Sequence, residues 1–475
     1  MIALLLILTP LATGLLSILM TKGGFAKNFS LLASLVTLVI AIAAIQAPVA
    51  PAFDIVWLNN LGSRFTLKMD GMSKMLCLLT AVAFPIIFTS VYKNTYKNAA
   101  SFFGLMLLTQ AGLMGVFLAA DALLFYFFWE FALIPVYFLC SIWGGEKRIA
   151  VTFKFFIYTF LGSLLMLAGI LFIYFRTADH SFALQSFYHV NLSGKEQSLI
   201  FWLFFVAFAI KMPIFPFHTW QPDAYEQAPT ATTMVLSGVM VKMGLYAVLR
   251  WLLPVFPLAT AQFSNVIIIL SVIGMIYASL IAIRQDDIKR LIAYSSIAHI
   301  GLMSAAIFSA DKTALEGVML QMFNHGINVI GLWIIADIIE QQLGTRKMSE
   351  MGGLAQKAPA MAILFVVMAF ANVALPLTNA FIGEFLMFSG LFRVNMIIAA
   401  VAGVSIILAA VYTLNMVQKV IYGELGETAI KSTDIKLNVK LALVVIALAI
   451  IALGIYPQPM INLTNDSVVG LIIKK

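Results

Sequence analysis

Long apolar runs, separated by short polar stretches, follow one another along the whole sequence. About fourteen runs are long enough, at roughly 20 residues each, to cross the ~30 Å hydrocarbon core of a bilayer. They cover residues 2–20, 28–47, 71–92, 99–119, 121–143, 150–175, 198–221, 228–252, 263–284, 288–308, 314–340, 358–391, 395–421 and 438–456. Lipid offers no partner for backbone N–H and C=O groups, so such runs must be helical. The pattern predicts an all-α, multi-pass membrane protein with about 14 transmembrane helices.

Composition supports this interpretation. Apolar residues make up 62% of the 475 residues and charged residues only 11%, whereas a soluble protein has about 25% charged residues. The first run, 2–20, lacks a basic segment before it and a clear small-residue cleavage site. It is therefore interpreted as the first span and not as a removed signal peptide.

Residues 48–70 break the apolar pattern. Pro48, Pro51, Asn59 and Gly62 punctuate short stretches in which apolar and polar residues alternate. Alternation between turn-forming residues is typical of paired strands. We expect a small extracytoplasmic β-hairpin here.

Lysine and arginine are unevenly divided between alternate loops. The richer set contains Lys22, Lys27, Lys93, Lys97, Lys147, Arg148, Arg284, Lys289, Arg290, Arg346, Lys347, Lys357, Lys419, Lys431, Lys436 and Lys440. The opposite loops hold about half as many, so the positive-inside rule places the richer set in the cytoplasm. Both termini are then expected on the periplasmic side.

Two spans carry prolines where a helix should continue. Pro213 and Pro216 interrupt the seventh span and Pro376 the twelfth, and proline removes a backbone donor and clashes with the preceding turn. Broken helices in corresponding places of two halves indicate an inverted-repeat transporter. The expected division is N-terminal helices (1–98), two inverted five-helix repeats (99–252 and 261–422) and a C-terminal loop with the last helix (423–475). Proline kinks without a functional role are the alternative.

Four charged residues lie inside apolar runs: Glu130, Lys211, Lys242 and Glu384. A charge at the bilayer centre costs roughly 2.5–3.5 kcal/mol on insertion scales, about 10 kcal/mol for four. They must therefore be paired, or hydrated for use. Static ion pairs that hold helices together are one interpretation, although buried pairs often add no net stability.

The other interpretation is a path for a proton or another small cation. A nearby carboxylate stabilises a protonated lysine, so Glu130 could control whether Lys211 holds or releases a proton. Lys242, His299 or His325, and Glu384 would continue the route, since histidine titrates near neutrality. For each histidine, a structural role in the core is the alternative, and His218, beside the first break, is expected to act indirectly.

Motifs for cofactors are lacking in the sequence. Cys77 and Cys140 lie in apolar runs without a C-x-x-C spacing, so a thiolate metal site is not expected. Neither a G-x-G-x-x-G nor a Walker A pattern occurs, so no nucleotide site is expected either.

Several segments resemble one family of membrane proteins. They are Glu130-Phe-Ala-Leu-Ile-Pro-Val-Tyr, Ile142-Trp-Gly-Gly, Lys154-Phe-Phe-Ile-Tyr-Thr-Phe-Leu-Gly-Ser, residues 208–230, residues 287–301, Asn324-His-Gly and Phe381-Ile-Gly-Glu-Phe. The chain resembles the antiporter-like, proton-conducting membrane subunits of bacterial NADH–quinone oxidoreductase, respiratory complex I. The resemblance covers roughly residues 70–425.

The resemblance implies specific roles. Glu130 matches an essential glutamate that pairs with the lysine at Lys211, and Lys242 and Glu384 match the later charges of the path. NADH, FMN, iron–sulfur clusters and quinone would be bound by partner subunits, and this chain would sit beside other antiporter-like subunits in the bacterial cytoplasmic membrane. Two positions depart from the family: Tyr225, where histidine is common, and Leu377, where glycine is common.

Two other functions remain open at this point. A subunit of a multisubunit sodium/proton antiporter would share the fold and the Glu–Lys pair. A scaffold that only anchors partners would predict that replacing Glu130 leaves ion transport intact.

Overall fold

The computed structural model describes residues 1–20, 23–46 and 53–473, and most of them are helical. Lys22, Pro48 and Pro51 lie outside the described residues. The helices are α1 (Ile2–Ile18), α2 (Gly23–Gln46), α3 (Gly71–Ser90), α4 (Ala99–Leu118), α5 (Ala122–Trp143), α6 (Arg148–Arg176), α7 (Leu184–Tyr188), α8 (Gly194–Lys211), α9 (Gln221–Gln227), α10 (Thr230–Val235), α11 (Lys242–Ala247), α12 (Leu253–Val255), α13 (Pro257–Arg284), α14 (Ile288–Ser309), α15 (Lys312–Leu343), α16 (Pro359–Asn372), α17 (Asn379–Val394), α18 (Met396–Ile421), α19 (Leu437–Ile455) and α20 (Gln458–Ile473).

The stretch from α10 to α12 is one continuous helix that changes its winding twice. Two wider turns of π-helix, Leu236–Met240 and Val248–Leu252, flank α11. Such turns are rare and frequently occur at functional sites. Every residue of the hydropathic window in Thr230–Val255 is buried, so this helix lies at the centre of the bundle.

Eleven helices of the described residues are long and apolar enough to cross a membrane. The predicted multi-pass, all-α architecture is therefore confirmed. Three predicted spans are not among the eleven: α1 is only 17 residues long, α8 carries three charges, and α16 and α17 are the two halves of an interrupted span. The central helices, α14 and α15, are almost wholly buried, whereas only about a third of the residues in the apolar windows of α2, α18 and α19 are buried.

The predicted hairpin is present. Strands β1 (Phe53–Leu58) and β2 (Ser63–Leu67) pair antiparallel, with Phe53 opposite Leu67. Gly62 ends the connecting turn at φ 66°, a left-handed conformation that glycine adopts without steric cost. Asp121 fixes the hairpin to the bundle, because its carboxylate accepts hydrogen bonds from the Ser63 hydroxyl and the Arg64 amide, both at 3.0 Å.

Hydrogen bonds between loops define two faces of the bundle. We call the one that carries β1 and β2 the hairpin face, and the other, where the Arg346 carbonyl accepts from the Ile288 amide and the Lys97 carbonyl from the Trp143 indole, the basic face. The chain begins at the hairpin face, because Ser17 at the far end of α1 contacts Ala100 at the start of α4.

One helix was not predicted. Helix α20 lies along the hairpin face, where Ser467 accepts a hydrogen bond from the Met72 amide and Leu471 lines a cleft with Pro254 and Ala310. Its sequence contains Asn462, Thr464 and other polar residues, which is why it lacks the signal of a span. The predicted C-terminal segment of a loop and one last helix therefore contains a further helix.

The twelfth span is interrupted as predicted, between α16 and α17, and its break is packed closely against α19. A β-carbon on Gly454 of α19 would lie only 2.1 Å from the Leu377 carbonyl oxygen. In the break, Leu377 itself has φ 74°, a left-handed conformation that leucine rarely adopts. The glycine therefore allows the helix and the break to meet backbone to backbone.

We expect Gly454→Ala to destabilise the protein by about 1–3 kcal/mol, because the added methyl group overpacks this contact. The measurement is the thermal unfolding midpoint of the purified protein in detergent. Gly403→Ala on α18 is the matched control, since its β-carbon would meet nothing within 4 Å. Equal midpoints for the two variants would contradict the packing argument.

Candidate functional site

The seventh span is broken as predicted. Helix α8 ends at Lys211 and α9 begins at Gln221, with both prolines in the non-helical stretch between them. The break frees backbone groups that need other partners, and the Trp220 indole N–H donates to the Ile210 carbonyl at 3.0 Å. Lys211 is therefore held at the end of a half-helix inside the bundle.

Lys211 is buried without a hydrogen-bond partner. Among the described residues, no hydrogen-bond acceptor contacts the Lys211 side-chain nitrogen. The ammonium lies 5.4 Å from the centre of the Trp129 ring, within the range of a cation–π interaction. The tryptophan ring attracts the ammonium but supplies no counter-charge, so it stabilises the bound proton less than a carboxylate would.

The expected direct pair of Glu130 and Lys211 is not formed. One carboxylate oxygen of Glu130 is also buried without a hydrogen-bond partner among the described residues. The two charges still influence each other electrostatically. The ammonium lies over the ring of Trp129, the residue that precedes Glu130, and not beside the carboxylate.

Lys242 opens a polar row through the second half of the bundle. It is fully buried and begins α11, with one residue between it and the end of the first π-helical turn. Its amine lies 2.7 Å from the Ser237 carbonyl and 2.9 Å from Nδ1 of His325. A charged lysine donates to a neutral imidazole at this distance, and a neutral lysine accepts from it.

The row continues from His325 to Glu384. The rings of His325 and His299 are 5.4 Å apart between centres. Nδ1 of His299 lies 3.0 Å from a carboxylate oxygen of Glu384, which also accepts from the Gln321 amide at 3.3 Å. Nε2 of each histidine has no partner among the described residues, so both imidazoles keep one nitrogen free for proton exchange.

The pair of residues Glu130 and Lys211 is separate from the row that begins at Lys242, and the two approach each other at the first break. Gly244, two residues after Lys242, packs against it, and a β-carbon there would lie 2.7 Å from the Met212 β-carbon and 2.8 Å from the Phe208 carbonyl. This contact brings the helix of Lys242 close to the backbone around Lys211. Within the described residues no direct hydrogen bond joins the two lysines, since the amine of Lys211 is unpartnered.

His218 lies apart from the row. It is buried in the first break, where its ring packs against Phe215 and Tyr277 at 5.8 and 5.3 Å between ring centres. Its position places it among aromatic rings rather than beside the other candidate residues, which favours the indirect role.

Lys289 is more than a charge that orients the chain. It is only 4% exposed, and its amine contacts the Thr230 hydroxyl at 3.0 Å and the Glu340 carboxylate. Asp287 caps the start of α14 by accepting from the amides of Lys289 and Arg290. The sequence pattern located these charges on the basic face but could not show that they pair across three helices.

An asparagine cluster at the second break was only half visible in the sequence. The side chains of Asn328 and Asn379 exchange hydrogen bonds at 2.9 and 3.0 Å, and Asn324 donates to the Asn379 carbonyl at 2.7 Å. Asn379 begins α17, so the cluster ties this half-helix to α15. The detectable signal is the polar stripe of Gln321, Asn324, His325 and Asn328 at helical spacing on an apolar helix.

Comparisons with known proteins agree with this geometry. Residues 119–409 match the family described as NADH:quinone oxidoreductase/Mrp antiporter, transmembrane. NADH-quinone oxidoreductase subunit M of Rickettsia typhi is 38% identical over 421 residues, which are 88% of this chain and 85% of the relative. The fold is similar to a chain of respiratory complex I from Thermus thermophilus, with a TM-score of 0.91, 28% identity and coverage of 99% and 100% of the two chains. It is also similar to a chain of the Mrp complex from Dietzia sp. DQ12-45-1b, with a TM-score of 0.87, 21% identity and coverage of 99% and 52%.

We expect Asn379→Ala to lower stability by about 1–3 kcal/mol, because it leaves the buried amide of Asn328 without a partner. The thermal midpoint in detergent measures this loss. Asn462→Ala on α20 is the control, since Asn462 is exposed and makes only a surface hydrogen bond with Gln458. A midpoint for Asn379→Ala equal to that of the control would show that the cluster does not hold the second break.

Proposed function

Because this chain belongs to the NADH:quinone oxidoreductase/Mrp antiporter transmembrane family, we propose that it is a proton-translocating membrane subunit of bacterial NADH–quinone oxidoreductase, respiratory complex I. The oxidation of NADH and the reduction of quinone belong to partner subunits that hold the FMN and iron–sulfur clusters. This chain converts the energy released there into proton transfer through buried side chains.

The buried row from Lys242 to Glu384 carries the proposal. Its members are an amine, two imidazoles and a carboxylate, each of which can bind and release a proton. The contacts of 2.9 Å at Lys242 and 3.0 Å at Glu384 are hydrogen-bond distances across which a proton can pass. The remaining step, between His325 and His299, needs a ring movement or a water molecule.

Glu130 and Lys211 serve as the control point of the path. When Glu130 moves towards Lys211, the carboxylate replaces the tryptophan ring as the partner of the ammonium and stabilises the bound proton. When it moves away, a buried lysine without a counter-charge favours release of the proton towards Lys242. Among the described residues Glu130 and Lys211 form no ion pair with each other, which supports this role, because a static structural pair would be closed.

The proposal also includes the arrangement of the spans in the membrane. We place fourteen transmembrane spans in the chain, with residues 99–252 and 261–422 as two inverted repeats whose broken helices meet at mid-membrane depth. The basic face lies in the cytoplasm and both ends of the chain in the periplasm. Neighbouring antiporter-like subunits cover part of the exposed apolar surface of α2, α18 and α19.

A sodium/proton antiporter subunit is the alternative. The fold similarity to the Mrp complex chain supports it, but at 21% identity this similarity concerns the fold alone. The two functions differ in the ion that is moved. We expect proton pumping by the reconstituted complex to be the same in sodium-free and sodium-containing buffer, as measured by a pH-sensitive dye in proteoliposomes, whereas a strict requirement for sodium would favour the alternative.

The central test replaces the two residues of the control point. Glu130→Gln and Lys211→Ala should each abolish NADH-driven proton pumping and strongly reduce coupled NADH oxidation, because neither variant can alternate between the paired and unpaired states. Pumping is measured in membrane vesicles from cells that carry the variant.

The matched controls are Glu146→Gln and Lys195→Ala, in which exposed charges are removed from the loop after α5 and from the start of α8. They should pump at the wild-type rate, and blue native gels should show equal amounts of assembled complex for all four variants. Wild-type pumping in Glu130→Gln or Lys211→Ala would overturn the relay and favour a scaffold.

A further inference from the structure

A second polar column descends from Lys242 towards the hairpin face. Tyr246 follows Lys242 by one helical turn, and Arg250 follows Tyr246 by another. The Arg250 Nε–H donates to the Tyr246 hydroxyl at 3.2 Å, and that hydroxyl donates to the Phe117 carbonyl at 3.0 Å. The eight residues from Lys242 to Arg250 correspond to about 12 Å along a helix.

Asp70 closes the column at its outer end. Its two carboxylate oxygens lie 2.7 and 2.6 Å from the two terminal nitrogens of Arg250, a bidentate pair. Ser73 accepts a further hydrogen bond from Arg250 at 3.3 Å. Burial by itself would raise the pKa of the Asp70 carboxyl, but the charge and hydrogen bonds of Arg250 lower that pKa to about 2, so the pair is charged at physiological pH.

Beyond the pair, an open cleft reaches the hairpin face. The cleft has a volume of about 490 Å³, and Asp70, Arg250, Lys68 and Asp466 are among its lining residues. Helix α20 forms one wall, so the cleft lies between the end of the chain and the core of the bundle. Arg250 thus stands between this cleft and Lys242 on the same helix.

We propose that Tyr246, Arg250 and Asp70 form a seal that closes the buried row against the hairpin face. The inference rests on the proposed function in one respect, namely that Lys242 carries a transported proton. Arginine remains protonated in proteins, so Arg250 cannot accept a proton and pass it on. The Tyr246 hydroxyl donates its one proton to a backbone carbonyl and accepts from Arg250, so neither of these two partners can take up a proton from it and pass it on.

Electrostatics adds to the seal. The guanidinium is the inner partner of the ion pair, nearer to Lys242, and Asp70 is the outer one. A cation that leaves Lys242 in this direction therefore meets the positive end of the pair first. Pores that must exclude protons and cations use a fixed arginine in the same sense.

The test is the passive proton permeability of the complex without NADH. Intact complex is reconstituted into proteoliposomes, a pH gradient is imposed, and its decay is followed with an enclosed pH-sensitive dye. For Arg250→Gln we expect the decay to be faster by on the order of tenfold, the lower end of what a focused charge changes in local ion concentration. Arg176→Gln is the control, because Arg176 lies on the same face in an exposed pair with Glu196.

A second variant distinguishes loss of the seal from misfolding. Arg250→Gln leaves Asp70 buried without its partner, but in the double variant Asp70→Asn/Arg250→Gln both charges are gone, which buried pairs often tolerate. It should also leak, and Arg250→Lys, which keeps a positive charge beside Asp70, should stay tight. A wild-type decay rate in the double variant, or equal leaks in Arg250→Lys and Arg250→Gln, would overturn the seal.

The seal and the proposed relay fail in different ways. Glu130→Gln should stop NADH-driven pumping while the imposed gradient decays at the wild-type rate. Arg250→Gln should raise the decay rate whether or not NADH is present. A leak in the arginine variant therefore tests the seal even if the assignment of Glu130 is wrong.

Discussion

The cost of placing ionisable groups in a membrane governs this structure. Each of the four charges inside the predicted spans would be costly in contact with lipid, and the fold keeps three of them almost wholly inside the bundle: Lys211 is 2%, Lys242 0% and Glu384 8% exposed. The same constraint explains the distribution of the helices. The helices that carry Lys242, His299 and His325 are almost wholly buried, whereas α2, α18 and α19 present apolar side chains outward.

The same constraint applies to the two interrupted helices. A break in a helix exposes carbonyl and amide groups that lipid cannot satisfy, so each break must be closed by protein. At the first break the Trp220 indole takes one such carbonyl, and at the second the asparagine cluster ties the start of α17 to α15. The breaks are therefore places where polar groups already have to gather, which makes them suitable for a path of titratable side chains.

Close backbone packing holds the breaks in position. Gly244 lets the helix of Lys242 approach the first break, and Gly454 lets α19 approach the second. Leu377 in the second break has a left-handed conformation, which glycine would adopt without steric cost. A leucine there carries backbone strain that glycine would not, and the close packing of Gly454 against its carbonyl keeps it in place.

Local patterns in the sequence were enough to predict the helical membrane architecture, the hairpin, the two interrupted helices and the identity of the buried charges. These patterns are run length, alternation, proline positions and the cost of a charge in lipid. Which charges touch one another follows from the packing of the helices. That packing joined Lys242 to Glu384 through His325 and His299, left Glu130 and Lys211 unpaired beside Trp129, and set Arg250 against Asp70, 180 residues away. Such contacts depend on how helices rotate and pack against one another, and the pattern of a single helix contains no information about its partner.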